Sequence, residues 1–264
     1  MRTLDKATVE QLAEHLENAE LNAYEVHKIT DDYPDMTFTD ATDIQWHIRH
    51  RKQQRGNKIV GMKMGLTSWA KMKQMNVEQP CYGFLADYFS LPDGAEIHCR
   101  ELIHPKVEAE IAVVIGKPLR GPAVSVEEVL AATEAVVPAV EIIDSRYKDF
   151  RFDITSVQAD NSSSTRFVVG SRTAEAHDFD WSTLGVVMMK NGEVVQMGAG
   201  AAVLDHPAAS VAMLAKMLHE RDEFIAPGSF IMTGGITAAV PVEPGDSIVV
   251  RYQYLGDISM RFVK

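Results

Sequence analysis

The hydrophobic spacing changes character along the chain. In LDKATVEQLAEHLENAEL, Leu4, Val9, Leu12, Leu16 and Leu21 recur at helical intervals, the pattern of an amphipathic helix. After YPDMTFTD a second helix is expected, with Thr39 or Asp40 as its cap. It runs through ATDIQWHIRHRKQQR and stops at Gly56. Beyond residue 57 the period shortens. NKIVGMKMG, YGFLADYFSL, AEIHC, residues 107–115, VVPAVEIID and RFVVG read as strands. SWAKMKQM reads as a short helix, and SVEEVLAAT as a helix with Ser125 and Glu128 forming a capping box. GVVMMKNGEVVQMG is a hairpin turning on Asn191-Gly192. Asp205 with Pro207 opens a helix over PAASVAMLAKMLHER. SFIMTGG and PGDSIVVRYQYLGDISMRFV return to strands, the last two around Gly256-Asp257. Strands outnumber helices after residue 57 and no regular βαβα alternation is present. The pattern predicts an α+β chain, with a helical N-terminal part (1–56) packed on a larger mixed-sheet domain (57–264).

One strand carries an anomaly. In HPKVEAEIAVVIG, Val107, Ala109, Ile111, Val113 and Ile115 share one face, while Glu108, Glu110, Ala112 and Val114 share the other. Same-side neighbours on a strand lie about 6–7 Å apart, so the two carboxylates can reach one shared ion. Without a cation they repel and one tends to keep its proton. An exposed, solvated pair is the ordinary reading of Glu-x-Glu. Glu141 shifts the balance. It sits between Ala139, Val140, Ile142 and Ile143, where a lone ionised carboxylate is costly unless paired or metal-bound. Lys or Arg partners would satisfy it too. Three carboxylates from two strands, without a His or Cys cluster, suit a hard ion such as Mg²⁺ or Mn²⁺ rather than zinc.

Composition narrows the partners. The 264 residues are 46% hydrophobic and 24% charged, with a formal net charge of −11. That balance argues against nucleic acid and anionic membranes and gives a small anionic substrate no long-range attraction. Such a substrate needs a local cation. Cys81 and Cys99 form neither a metal-type pair nor a disulfide framework, and the N-terminus is not signal-like. A reducing cytoplasm is the expected compartment. No apolar run approaches the roughly 18 residues needed to cross a bilayer.

HPKVEAEIAVVIG and VPAVEIIDSR together resemble the fumarylacetoacetate hydrolase superfamily, and more closely its hydratase/decarboxylase branch. The resemblance extends through GMKMGLTS (61–68), QPCYGFLADYF (79–89), DNSSSTRFVVG (160–170) and PGDSIVV (244–250). It covers most of the chain from residue 57 on, and the N-terminal helices are also similar. It implies a mixed β-roll with an open metal site at its mouth, held by Glu108, Glu110 and Glu141. It also implies small 2-oxo or enol acid substrates, chelated through a carboxylate and the adjacent 2-oxo group. Pattern alone allows Lys63 to be an outward-facing lysine; the resemblance assigns it the branch's active-site ammonium. Ser162, in a run of serines spanning 162–164, falls on a family serine near the substrate. Thr67 and Ser68 follow Lys63, and Ser68 is read as a helix cap. Asp144 and Arg146 are read as supports, and Gly234-Gly235 as a turn with backbone freedom.

A departure chooses within the branch. Hydratases resembling this chain carry Gln-Pro-Asp before an aromatic residue and Gly, and that Asp is an acid/base candidate. Here the stretch is Gln79-Pro80-Cys81-Tyr82-Gly83. A buried thiol replaces a carboxylate poorly in activating water, whereas loss of CO₂ needs no such base. The expectation is therefore metal-dependent decarboxylation of 2-oxo-3-hexenedioate to 2-hydroxypenta-2,4-dienoate, in the meta-cleavage breakdown of catechols. A complex with the pathway's hydratase is implied as well. The rivals are a hydratase or acylpyruvate hydrolase using the same metal, and a non-catalytic subunit whose acidic cluster stabilises a fold or an assembly.

Overall fold

The computed structural model describes residues 2–74 and 77–264. Helix α1 spans Lys6–Leu21, capped by Asp5, which accepts from the Thr8 amide at 2.8 Å. A single unforeseen turn, α2, spans Ile29–Asp32, and α3 spans Phe38–Gln54. The cap of α3 is Thr37, not Thr39 or Asp40. Thr37 Oγ1 accepts from the Asp40 amide at 3.2 Å, and Asp40 accepts from the Thr37 amide at 3.0 Å. Asp40 is thus the first-turn partner of a capping box, three residues after the cap, rather than the cap itself. Gly56 ends the segment at φ +92°, where a side chain would be strained. Val9, Leu12 and Leu16 pack with Ile44 and Ile48, and Phe84, Tyr147 and Ala159 from the later chain complete that core.

The later elements follow in order: β1 Ile59–Gly65, α4 Trp69–Gln74, β2 Cys81–Ala86, β3 Ser90–Leu91, β4 Ala95–His98 and β5 Lys106–Ile115. Then come α5 Val126–Ala132, β6 Thr133–Ile143, α6 Ile154–Ala159, β7 Ser164–Val169, β8 Gly185–Lys190 and β9 Glu193–Ala199. The chain closes with α7 Pro207–His219, β10 Phe230–Met232, β11 Val240–Pro241, β12 Ser247–Tyr252 and β13 Gly256–Val263. Among the described residues one sheet runs β2-β1-β10-β5-β6-β7-β3, with β11 also on β5; the other runs β4-β13-β12-β8-β9. Both mix parallel and antiparallel pairs. The expected α+β mixed-sheet architecture with helices at its N-terminus is the one found.

Local signals placed most elements. Ser125 and Glu128 form the capping box of α5, and Asn191 and Gly192 turn the β8–β9 hairpin at φ +55° and +88°. Three boundaries differ. YGFLADYFSL is broken by a 3₁₀ turn at Asp87–Phe89 into β2 and β3. His206, not Asp205, caps α7, its Nδ1 accepting from the Ala208 amide at 3.1 Å. The last hairpin turns just before Gly256, which already pairs with Tyr252. The expected helix SWAKMKQM ends on Met75, outside the described residues.

The faces of β5 go to different places. Val107, Ala109, Ile111, Val113 and Ile115 enter the main core with Ile248, Val250, Ile258 and Met260 of the second sheet and Leu214 of α7. Burying this face and its partners is the largest apolar contribution to the fold. The opposite face begins with the glutamates and then joins a small apolar cluster of Ala112, Ala139, Phe167 and Met232.

Candidate metal centre

Strand pairing brings the acidic residues together. β5 and β6 are antiparallel neighbours with Glu108 opposite Glu141, and Glu110 lies two pairs further on, opposite Ala139. Each of the three glutamates offers a carboxylate oxygen within 4.8 Å of the others'. Glu110 and Glu141 are fully buried and Glu108 is half-buried. Glu110 Oε2 accepts from the Gly234 amide at 2.7 Å. Glu110 Oε1 and both oxygens of Glu141 are shut away from solvent with no hydrogen-bond partner. Buried carboxylate oxygens without donors are costly. The donor set, all hard oxygens with unused lone pairs, therefore fits a divalent cation of the magnesium class.

Lys63 is buried beside them, not facing outward. In β1 it lies between Met62 and Met64, and Met64 takes the main-core side. Its Nζ is 3.0 Å from Glu141 Oε2, an ion pair off the line of a hydrogen bond. It donates instead to the Ser162 carbonyl at 2.9 Å and the Ser162 hydroxyl at 3.2 Å. Burial pushes the Lys63 pKa down, but Glu141 and the other nearby anions more than compensate and hold it above the ordinary value. The ammonium stays charged. Burial raises Glu110 well above the carboxylate range, reinforced by the Glu141 charge and opposed by Lys63. Burial raises Glu141 as well, against the pull of Lys63. With Lys63 in place Glu110 and Glu141 still sit above the ordinary carboxylate range, a balance that a divalent ion would shift.

Ser162 owes its position to backbone strain. Asn161, Ser162 and Ser163 all have φ near +50° to +56°, a left-handed run rare for side-chain-bearing residues. The Asn161 side chain holds the run down, accepting from the Phe84 amide at 2.9 Å and donating to the Phe84 carbonyl at 3.0 Å. Cys81 lies against Ser162, Sγ to Oγ 3.1 Å. Burial pushes its thiol up, with Lys63 opposing, so it is protonated at neutral pH. A Cβ on Gly65 would come within 2.5 Å of Ser162 Oγ; only glycine leaves this corner open.

Asp144 and Arg146, read as supports, are both buried. Asp144 accepts from the amides of Ile103 and His104 at 2.8 and 2.5 Å. Arg146 pairs with Asp160 at 2.5 Å and binds the carbonyls of Asp144 and Ser164. Gly234, at φ +108°, presses its backbone against Thr67, and a Cβ on Gly235 would meet Glu108 Oε2 at 2.9 Å. Ser68 directly precedes α4, and its carbonyl accepts from the Met72 amide. A cavity of about 340 Å³ opens over the cluster, lined by Lys63, Cys81, Glu108, Ser162 and, further out, Lys106 and Phe150. Sequence reasoning missed Lys106 and Phe150. Lys106 stands in HPKVEAEI on the glutamate side of the strand, and that parity was the available signal.

Residues 62–263 match the fumarylacetoacetate hydrolase C-terminal family. The chain belongs to that family. It is 65% identical over 262 residues to 4-oxalocrotonate decarboxylase of Pseudomonas putida, covering 99% of each chain. It is 36% identical over 262 residues to 2-hydroxyhexa-2,4-dienoate hydratase of Comamonas testosteroni, covering 98% of this chain and 99% of the other. The structure of 4-oxalocrotonate decarboxylase from Pseudomonas putida G7, complexed with magnesium and adipate, superposes with a TM-score of 0.98 at 64% identity over 100% of both chains. No described helix is long and apolar enough to cross a membrane.

Proposed function

We propose that this chain is a divalent-metal-dependent carboxy-lyase that decarboxylates 4-oxalocrotonate (2-oxo-3-hexenedioate) to 2-hydroxypenta-2,4-dienoate and CO₂ in meta-cleavage degradation of aromatic compounds. The observation that carries the reading is near full-length 65% identity to a decarboxylase. The buried oxygens of Glu110 and Glu141 without hydrogen-bond partners support it. Mg²⁺, or Mn²⁺ in its place, is held by Glu108, Glu110 and Glu141. What the ion supplies is Lewis acidity toward the substrate's 2-oxygen, where negative charge builds.

The chain's own residues do the rest. The bond between C5 and the distal carboxyl carbon breaks and CO₂ leaves. The electron pair forms C4=C5, the former C3=C4 pair moves to C2=C3, and charge reaches the 2-oxygen. Lys63, fixed by Ser162, sets its ammonium beside that oxygen or the adjacent carboxylate as a preorganised point charge. Protonation of the oxygen then gives the dienol product. Phe150, Phe152, Val157 and Ile143 line the cavity and exclude water from the diene. A protonated Cys81 offers no base for hydration. The reading assigns catalysis to 57–264 and leaves 1–56 as a helical cover. It extends to a cytoplasmic enzyme that hands its product to an associated hydratase, because that product is what a hydratase of this family would consume.

The hydratase reading keeps one observation in its favour, the 36% identity to a hydratase across the chain. One assay decides. With Mg²⁺, 2-oxo-3-hexenedioate should give CO₂ and the dienol, and removing the metal should abolish both. Conversion of 2-hydroxypenta-2,4-dienoate to 4-hydroxy-2-oxopentanoate with no CO₂ from the diacid would overturn the assignment.

A further inference from the structure

Resting on that reading, we infer that Lys106 is the specificity-determining residue that receives the distal carboxylate of the diacid. Lys106 is the first residue of β5, and Glu108 is the next residue on the same face. Both line the cavity. Two residues of strand span about 6–7 Å. The end-carboxyl carbons of an extended six-carbon diacid are separated by about the same distance, from bond lengths of roughly 1.5 Å. A substrate anchored by its 2-oxo acid end at the glutamates is therefore long enough to reach Lys106.

The charge balance points the same way. Among the described residues lining this cavity, Lys63 and Lys106 are the cations. Lys63 lies at the inner end, beside Glu141 and Ser162. A chain of net charge −11 attracts a dianion only where a local cation is aimed at it. Lys106 is so aimed. Its Nζ stands 3.8 Å from the centroid of the Phe150 ring, a cation–π contact that orients the ammonium. The aromatic platform is itself built under strain. Asp149 and Phe150 hold φ of +56° and +58° in a 3₁₀ turn closed by the Phe150 amide on the Tyr147 carbonyl at 3.0 Å. Non-glycine residues held there imply that the surroundings require that conformation. Here it puts the ring against Lys106 inside the cavity.

The role has a kinetic signature. The distal carboxylate gives up its charge as it leaves as CO₂, so its contact with Lys106 is strongest before the bond breaks. Such a contact serves binding more than the chemical step.

The test compares two unreactive saturated acids that share the 2-oxo acid end, 2-oxoadipate and 2-oxohexanoate. Their binding to the Mg²⁺-loaded wild type and to Lys106→Met and Lys106→Arg is measured by calorimetry. Wild type is expected to prefer the diacid at least ten-fold. Lys106→Met should lose that preference while binding the monoacid as wild type does, and Lys106→Arg should keep most of it. In turnover, Lys106→Met should raise KM for 2-oxo-3-hexenedioate by more than it lowers kcat. The two acids do not react, so the comparison reads even if wild type releases no CO₂, the separate result that would sink the proposed function. Equal weakening of both acids, or an unchanged preference in Lys106→Met, overturns the role of Lys106.

Discussion

Glu17 and Glu141 are both completely buried carboxylates, and the protein serves them in opposite ways. Around Glu17 every charge has its match. Arg51 Nε and Arg55 Nη2 each approach it at 2.6 Å. Lys52 pairs with Glu20, while Tyr88 donates to Glu20 at 2.6 Å. Burial pushes Glu17 up, but the two arginines and Lys52 outweigh it, and its pKa ends below the ordinary range. Glu141 has the Lys63 ammonium at 3.0 Å and the carboxylates of Glu108 and Glu110 close by, and its pKa ends above that range. Burial is alike in both places; pairing is not. Buried charge that is satisfied within the chain contributes to folding, and buried charge left in deficit marks where a ligand belongs.

Glu141→Gln attacks the deficient cluster and should produce the largest effect. The amide keeps the shape and removes a ligand charge, so kcat/KM should fall roughly a thousand-fold, about 4 kcal/mol of transition-state stabilisation. The metal-free variant should still fold, with a lower melting temperature, because buried Lys63 loses its main counterion. Unchanged activation by Mg²⁺ would remove Glu141 from the site.

Lys52→Met applies the equivalent insult to the satisfied cluster, and its outcome should be reversed. Lys52 is inaccessible to solvent and neutralises Glu20, so losing it should cost about 3 kcal/mol of stability by denaturant unfolding. Activity per folded molecule should hold. A stable variant with reduced kcat would erase the distinction between the clusters. Lys63→Met sits between these cases. It should cost about 2–3 kcal/mol in kcat/KM and also lower the melting temperature of the metal-free protein, because Glu141 loses its counterion. Wild-type kcat/KM in that variant would rule the ammonium out of the chemistry.

Much of this contrast was legible in the sequence, for reasons that differ by residue. The parity of Val107 to Ile115 set the glutamates on one face of β5, and the apolar run around Glu141 marked its burial. Both are local patterns of period two. Register is not local. Nothing within either strand states that Glu108 faces Glu141 across the ladder; the family resemblance implied only that the three glutamates share a metal. The caps show the same limit. Thr37, Thr39 and Asp40 all suit a helix start, and the choice of Thr37 rests on Asp40 also accepting from Thr3, thirty-seven residues away. The satisfied cluster escaped sequence reasoning altogether. Nothing in the helix patterns singles out Glu17 or Lys52, and only the packing of α1, α3 and Tyr88 buries them. Lys106 and Phe150 meet across a strained turn that no short-range signal announces.

Asp40 gives the smallest effect and the cleanest pH test of satisfied burial. Burial raises this carboxyl, but hydrogen bonds from the hydroxyls and amides of Thr37 and Thr3 outweigh it and lower its pKa from 3.8 to about 2. A group depressed on folding contributes stability that is present above its unfolded pKa and is lost as pH falls through the folded value. The window here is pH 4 to 2. The contribution should be about 1–2 kcal/mol, and it joins the residue-3 backbone to the start of α3. Asp40→Asn cannot titrate and presents an amide where one oxygen accepted. Unfolding free energies of wild type and variant, measured from pH 6 down to 2, should differ by a constant amount above pH 4. The difference should then shrink by about 1–2 kcal/mol as Asp40 takes up its proton. A difference that stays flat to pH 2 would show that these hydrogen bonds do not depend on the carboxylate's charge.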